Sequence, residues 1–411
     1  MKLRTKLNKH HKRCCTELKN FVHVLFCVGV ATILLGTVAF AQTATKAPET
    51  RHSAVEFAVS NSGAVWRVRS DGSLIDLVPS ANGSSFPYTY DFRLLKVSPN
   101  GCYVYIGGQQ FPGNSGTGKG FLEVFQLSRL GRLRLIDTPI NKTSSDYPYA
   151  LAFGGRGRFL YVLTAHSTST TGFSVLSGYR VGQQGAMTRL PNLNRRFNTV
   201  PTNDARQMAQ ADIVSDPEGH FVYVMQPHNR SILQYHVTSN GSLETMGANL
   251  PVLPQNPLHL LFPFQGSFLY VTSAQDDSLT QLKVGANGML RVTHFFRFGN
   301  IKHAISPVIA ITPNGRFLYV RDDIHPFTKQ YAIQPDGLLK CLPLLTTAFA
   351  LESMTVNLTS HFLYLVETGE TNERLIRPYR ISSSGTLSRV KGNPTATFGN
   401  VSLVFAYSSR R

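Results

Sequence analysis

The run Arg321-Asp322-Asp323-Ile324-His325 gathers the groups that hydrolyse esters. A carboxylate beside an imidazole activates water for attack on a carbonyl, and an arginine holds the anion that develops. Asp322, Asp323 and His325 are therefore candidate bases, and Arg321 a candidate anion holder. The plain alternative is a polar loop whose aspartates cap turns. His228 and Arg230 form a second group, suited to the carboxylate or phosphate of a sugar acid. They are equally at home in a solvated loop. Tyr147 and Tyr149 offer rings that stack on a sugar or simply pack a wall. Asp276, Asp277, Asp322 and Glu367 are oxygen donors of the kind calcium and magnesium take. No contiguous calcium-loop pattern joins them, so neither a metal nor a cofactor is expected.

Sharper motifs fail. Gly113–Gly120 has the look of a phosphate loop, but Gly120 stands where a Ser or Thr would hold magnesium. There is no Gly-x-Ser-x-Gly elbow, no His-Glu-x-x-His and no Cys-x-x-Cys.

The candidates sit at fixed places in a repeat. The phrase Pro313-Asn-Gly-Arg-Phe-Leu-Tyr-Val320 has variants whose shared tyrosine falls at 105, 161, 223, 270, 319 and 364. A second phrase, a polar turn with Gly and then usually Leu or Met, centres on glycines 72, 131, 185, 241, 288, 337 and 385. Polarity alternates with period two on both sides of these turns, as strands require. Each unit is thus two hairpins, or four strands, every 45 to 62 residues. That is the blade of a β-propeller. A lone blade cannot bury both apolar faces, so blades in a ring repeat the same packing residues. The unit at Val55–Val59 lacks an inner strand, while Val401–Ala406 reads like the inner strands Ala150–Phe153 and Val308–Ile311. The last strand therefore completes the first blade. The expected fold is an all-β, seven-bladed propeller over residues 54–411, with four antiparallel strands per blade.

Residues 1–41 are a different polymer. Seven bases and one acid precede the apolar run Phe21–Phe40, which ends in small residues before a cut after Ala41. This reads as a signal peptide. The run is also long enough to be an uncleaved anchor, the only expected contact with a membrane. Residues 42–53 form a linker, and the propeller lies outside the cytoplasm, periplasmic or secreted. Three of the five cysteines fall in the leader, leaving too few for a disulfide framework. Without the leader the formal charge drops from +18 to +12. The remaining bases are scattered along the chain, so anionic surfaces or substrates are expected and nucleic acid is not.

The blade phrase, the sevenfold count and the Asp-Gly-x-Leu type of turn resemble the lactonase-like seven-bladed propellers. These include the bacterial 6-phosphogluconolactonases, with YVTN-type propellers as near relatives. The family's His-Pro-His phrase before an inner strand has two matches in frame. Tyr147-Pro148-Tyr149 carries Tyr at the His positions, and Ala209-Gln210-Ala211 carries Ala before the turn Asp216-Pro217-Glu218-Gly219. Gln226-Pro227-His228-Asn229-Arg230 stands where the family has an acidic segment. The resemblance implies the fold and lactone hydrolysis, while the substituted positions point to a binding module. The leading expectation is an exported monomer that binds a sugar-like or anionic small molecule, or a protein partner. Its binding surface is the face crowded by the insertions 109–120, 165–177 and 192–207. Hydrolysis of a sugar lactone and a cell-envelope scaffold are the alternatives.

Overall fold

The structure, a computed structural model, describes residues 55–61, 63–78, 89–111, 118–140, 146–167, 172–198, 211–227, 229–247, 250–251, 253, 257–263, 267–273, 278–298, 308–321, 327–347, 351–369, 373–397 and 402–407. The leader and linker lie outside this set. No helix among the described residues is long and apolar enough to cross a membrane.

Seven antiparallel sheets form a ring. Within each, the strands run from the inner edge outward as a, b, c and d. The first blade pairs Leu403–Tyr407, Glu56–Ser60, Val65–Val68 and Leu74–Val78 in that order. Its inner strand comes from the far end of the chain, with Phe57 opposite Ala406 and Val59 opposite Val404. This is the closure the two chain ends imply. The inner strands of the next six blades are Thr89–Val97, Tyr147–Gly154, Asp212–Ser215, Pro257–Leu261, Ile309–Ile311 and Leu351–Val356. Each pairs with the strand carrying the repeated tyrosine.

The two repeated phrases prove to be the two halves of one lock between blades. The aromatic residue that opens strand b wedges over the turn glycine of the next blade. Phe57 lies on Gly131, Tyr103 on Gly185, Phe159 on Gly241, Phe221 on Gly288, Phe268 on Gly337 and Phe317 on Gly385. Phe362 on Gly72 shuts the circle. At Gly385 the need for glycine is double. Its φ is +89°, and a Cβ there would sit 2.2 Å from the Phe317 ring.

Two residues further on, four of the six repeated tyrosines bond the same glycine. The hydroxyl donates to the carbonyl of Gly241 from Tyr161 (2.9 Å), of Gly288 from Tyr223 (2.7 Å), of Gly385 from Tyr319 (2.9 Å) and of Gly72 from Tyr364 (2.8 Å). Between the fifth and sixth blades Gln281 donates to both the Tyr270 hydroxyl and the Gly337 carbonyl. All six tyrosines are fully buried. Burial pushes their hydroxyls well above the ordinary tyrosine value, so they stay neutral. Replacing Tyr223 with Phe strands the buried Gly288 carbonyl and should cost about 1–2 kcal/mol, read as a lower urea midpoint at unchanged m-value.

Residues 112–117, 168–171 and 199–207 of the insertions lie outside the described residues, and the described flanks are almost entirely strand. Gln109 and Gln110 pair with Gly120 and Lys119, and Phe173–Ser177 pair with Asn194–Asn198. The second and third blades simply have longer strands than the rest.

Candidate functional site

In every blade the a–b and c–d turns mark one end of the ring, and the b–c and d–a connections mark the other. The chemistry-bearing residues that the topology gathers at this loop end come mainly from where the inner strands begin. There the ladder is irregular. Register shifts fall between Pro148 and Ala150 in the third blade and between Pro257 and Leu260 in the fifth. Bulges of this kind re-aim side chains.

One carboxylate–imidazole pair joins two blades here. Asp212 opens the fourth inner strand, and His259 lies in the irregular stretch of the fifth. Asp212 Oδ1 accepts the Ile213 N–H at 2.8 Å, and Oδ2 accepts the Leu260 N–H at 2.8 Å. His259 Nδ1 stands 3.6 Å from the same Oδ2. The Asp212 side chain is 19% exposed and that of His259 59%. Burial pushes the Asp212 carboxyl up, but the His259 imidazole, the Leu260 N–H and the Lys96 ammonium outweigh it and hold the group below its ordinary value. Asp212 is therefore a fixed anion, and His259 is an accessible imidazole with that anion at Nδ1. An accessible imidazole with an anion beside Nδ1 is suited to take a proton from water at its other nitrogen.

A second pair lies at the same end of the third blade. His166 Nδ1 contacts Asp146 Oδ1, and the imidazole lies 4.4 Å from the Phe173 ring centroid. Gly120 allows this approach, because a Cβ there would stand 1.6 Å from the Asp146 carbonyl oxygen. The phosphate-loop-like stretch thus ends on a glycine needed for close packing.

The sequence candidates are distributed unevenly. Asp322, Asp323, His325 and His228, together with Asp276 and Asp277, lie outside the described residues. Arg321 closes the strand Phe317–Arg321 at the loop end of the sixth blade, with its N–H on the Val308 carbonyl at 3.0 Å. Arg230 turns its guanidinium onto the Leu253 carbonyl through Nε (3.0 Å) and Nη2 (2.5 Å), so it braces the fourth blade. Tyr147 and Tyr149 are 5% and 9% exposed and belong to the core between the third and fourth blades. The Tyr149 hydroxyl donates to Ser174 Oγ at 2.7 Å, and burial pushes it up more than that bond lowers it. Packing is the role this burial gives them. Glu367 is held by Arg377 at 2.9 Å and is almost wholly buried, which removes it from any cation site. Among the described residues no cluster of three or more His, Cys, Asp or Glu is placed to hold a metal.

Asp212 and His259 escaped the reading of motifs. One signal was present: Asn256-Pro257-Leu258-His259-Leu260-Leu261-Phe262 follows the same frame as Tyr147-Pro148-Tyr149-Ala150-Leu151-Ala152-Phe153. The histidine is displaced by one residue in that frame, and both stretches carry a register shift at this place.

Comparison with known proteins agrees with this architecture. The family model "Lactonase, 7-bladed beta-propeller" matches residues 179–296, which run from the third blade through the fifth and contain both Asp212 and His259. The periplasmic gluconolactonase of Pseudomonas aeruginosa superposes with a TM-score of 0.62 at 18% identity, covering 86% of this chain and 99% of that one. A Bacteroides fragilis protein provisionally assigned as a 6-phosphogluconolactonase gives 0.63 at 16% identity, covering 87% and 100%. A Lactobacillus plantarum protein gives 0.61 at 15%, covering 85% and 99%. No curated protein matches the sequence. At these identities the structural likeness establishes the fold alone, a seven-bladed propeller similar to those of these proteins.

Proposed function

We propose that this chain is an exported hydrolase of a lactone, with a sugar lactone as the substrate class. The observation that carries the reading is the Asp212–His259 pair, which sets an exposed imidazole against a partly buried carboxylate held ionised at neutral pH, at the loop end of the ring. The family match over residues 179–296 supports it. In the proposed step, His259 Nε2 takes a proton from water as the water oxygen attacks the lactone carbonyl carbon. The ring C–O bond then breaks, the leaving alkoxide regains the proton, and a hydroxy acid departs. Lys96 supplies positive charge close enough to act on Asp212, and an anionic product or oxyanion would draw on the same field. Residues 322, 323 and 325 are the second candidate source of a base, with Arg321 beside them. This reading displaces the binding module as the leading one, because the family match spans the segment that holds the pair. A location outside the cytoplasm belongs to the same proposal, carried by the leader's composition.

The test is hydrolysis of a panel of sugar and aliphatic lactones by purified residues 42–411, followed by proton release in weak buffer. Turnover is expected on at least one aldonolactone. A rate equal to the spontaneous one on every lactone, in protein that melts cooperatively, would return the chain to the binding class.

A further inference from the structure

The turn end of the ring carries a pattern invisible along the chain. At the rung where the wedge aromatic opens strand b, the residue opposite it on strand c is a base in five blades. Arg67 faces Phe57, Arg180 faces Phe159, His236 faces Phe221, Lys283 faces Phe268 and Arg380 faces Phe362. In the two others the base moves one strand outward on the same rung. Arg134 lies opposite Gln126, and Lys340 opposite Ala332. Every blade thus contributes a base, and all seven are exposed. The fold lays some of them flat over the blade seams. Arg180 stacks on Phe159 at 5.3 Å and Arg380 on Phe362 at 4.8 Å, each pointing at a turn carbonyl of the next blade.

The acids near this girdle are engaged elsewhere. Asp71 accepts from Ser73, Asp336 from the Leu338 N–H, and Glu218 pairs with Arg156. Among the described residues Glu244 faces a girdle base, His236, at 4.0 Å. A hollow of about 470 Å³ opens on the same end between the third and fourth blades, lined by Gly155, Arg156, Arg158, Glu218 and His220. It adds two guanidinium groups and an imidazole against one carboxylate.

The chain also enters the ring at this end. Glu56 begins strand b of the first blade, and its carboxylate accepts from Asn357 Nδ2 and the Leu358 N–H in the a–b turn of the seventh. Upstream lie only residues 41–54 before the apolar run Phe21–Phe40. That tether spans at most about 50 Å when fully extended.

We propose that the turn face, with its girdle of one base per blade, docks on an anionic phospholipid bilayer and leaves the loop end directed away from it. The proposal is independent of any reaction at the loop end. Its elements are charge complementarity around the girdle and a cationic hollow on the same end.

The test is co-sedimentation with vesicles of phosphatidylcholine alone or rich in phosphatidylglycerol. Residues 42–411 serve here, because the ring closes and buries its cores within residues 55–407. Binding to the anionic vesicles only, and its loss in high salt, is the expected result. The variant Arg67→Gln, Lys283→Gln, Lys340→Gln removes three bases that stack on no aromatic ring, so its fold is safe. It should bind about tenfold more weakly or worse. Loop-end substitutions Lys119→Gln and Arg297→Gln should leave binding intact. Equal binding by the girdle variant and the parent would overturn the proposal. So would an equal loss in the loop-end variant, or double-stranded DNA bound as tightly as the vesicles at the same salt.

Discussion

Replacing His259 with Gln should lower kcat/KM for the preferred lactone by about 100-fold or more, the usual worth of a positioned general base. Glutamine keeps the bulk and a polar tip but cannot carry a proton away from water. The side chain is more than half exposed, so the fold should be untouched and the melting temperature unchanged. Asp212→Asn is the informative companion. Asp212 acts through His259, and it also accepts two backbone N–H groups that an amide oxygen satisfies only in part. Its loss should be smaller, about tenfold to 100-fold, and should change the pH profile rather than only its height. The carboxyl is held below its ordinary value, so the stability it lends is fully present above the ordinary carboxylate value and is lost as pH falls from there through the depressed one. Its protonation therefore does not limit turnover near neutrality. His361→Gln, at the turn of the seventh blade, should leave the rate unchanged. Full activity in the His259 variant and its loss in His166→Gln would move the base to the third blade.

The architecture was legible because each blade solves the same packing problem, and one answer written many times is easy to read. The tyrosines at 105, 161, 223, 270, 319 and 364 mark it, and so do the turn glycines. The contact between those two phrases was not legible. They belong to neighbouring blades, so Tyr161 and Gly241 are 80 residues apart in the chain. The site suffers more from the same cause. Asp212 and His259 are 47 positions apart and share no local motif. Only the ring sets them side by side, and only a bulge aims the imidazole. Conversely, Arg230 looked like an anion holder because a loop arginine after strand b is exposed by default. Its φ of +49° and its grip on Leu253 show a bracing role that no spacing rule records. The girdle of bases reads as scatter in one dimension and as a circle in three.

Deleting residues 402–411 should abolish the folded monomer. The strand Leu403–Tyr407 is the inner strand of the first blade, paired along its length with Glu56–Ser60. Leu403, Phe405 and Ala406 are 4%, 3% and 0% exposed. Leu403 and Phe405 enter the core shared with the seventh blade, and Ala406 the core shared with the second. Truncating a buried Leu and a buried Phe alone costs roughly 5–10 kcal/mol. That is comparable to the whole stability of a domain, roughly 5–15 kcal/mol, before the lost ladder is counted. The edge left behind would be a bare strand seeking a partner, so the surviving protein should be aggregate or oligomers that borrow the strand from another chain. A graded form of the experiment keeps the protein soluble. Phe405→Ala should lower stability by about 3–5 kcal/mol in urea, while Phe295→Ala, at a side chain 48% exposed on an outer strand, should change it by less than about 0.5 kcal/mol. A truncated chain that still melts as a cooperative monomer would mean that the locks between blades, with Phe362 on Gly72 at the seam, hold the ring without its last strand. The recurring phrase would then carry the closure by itself.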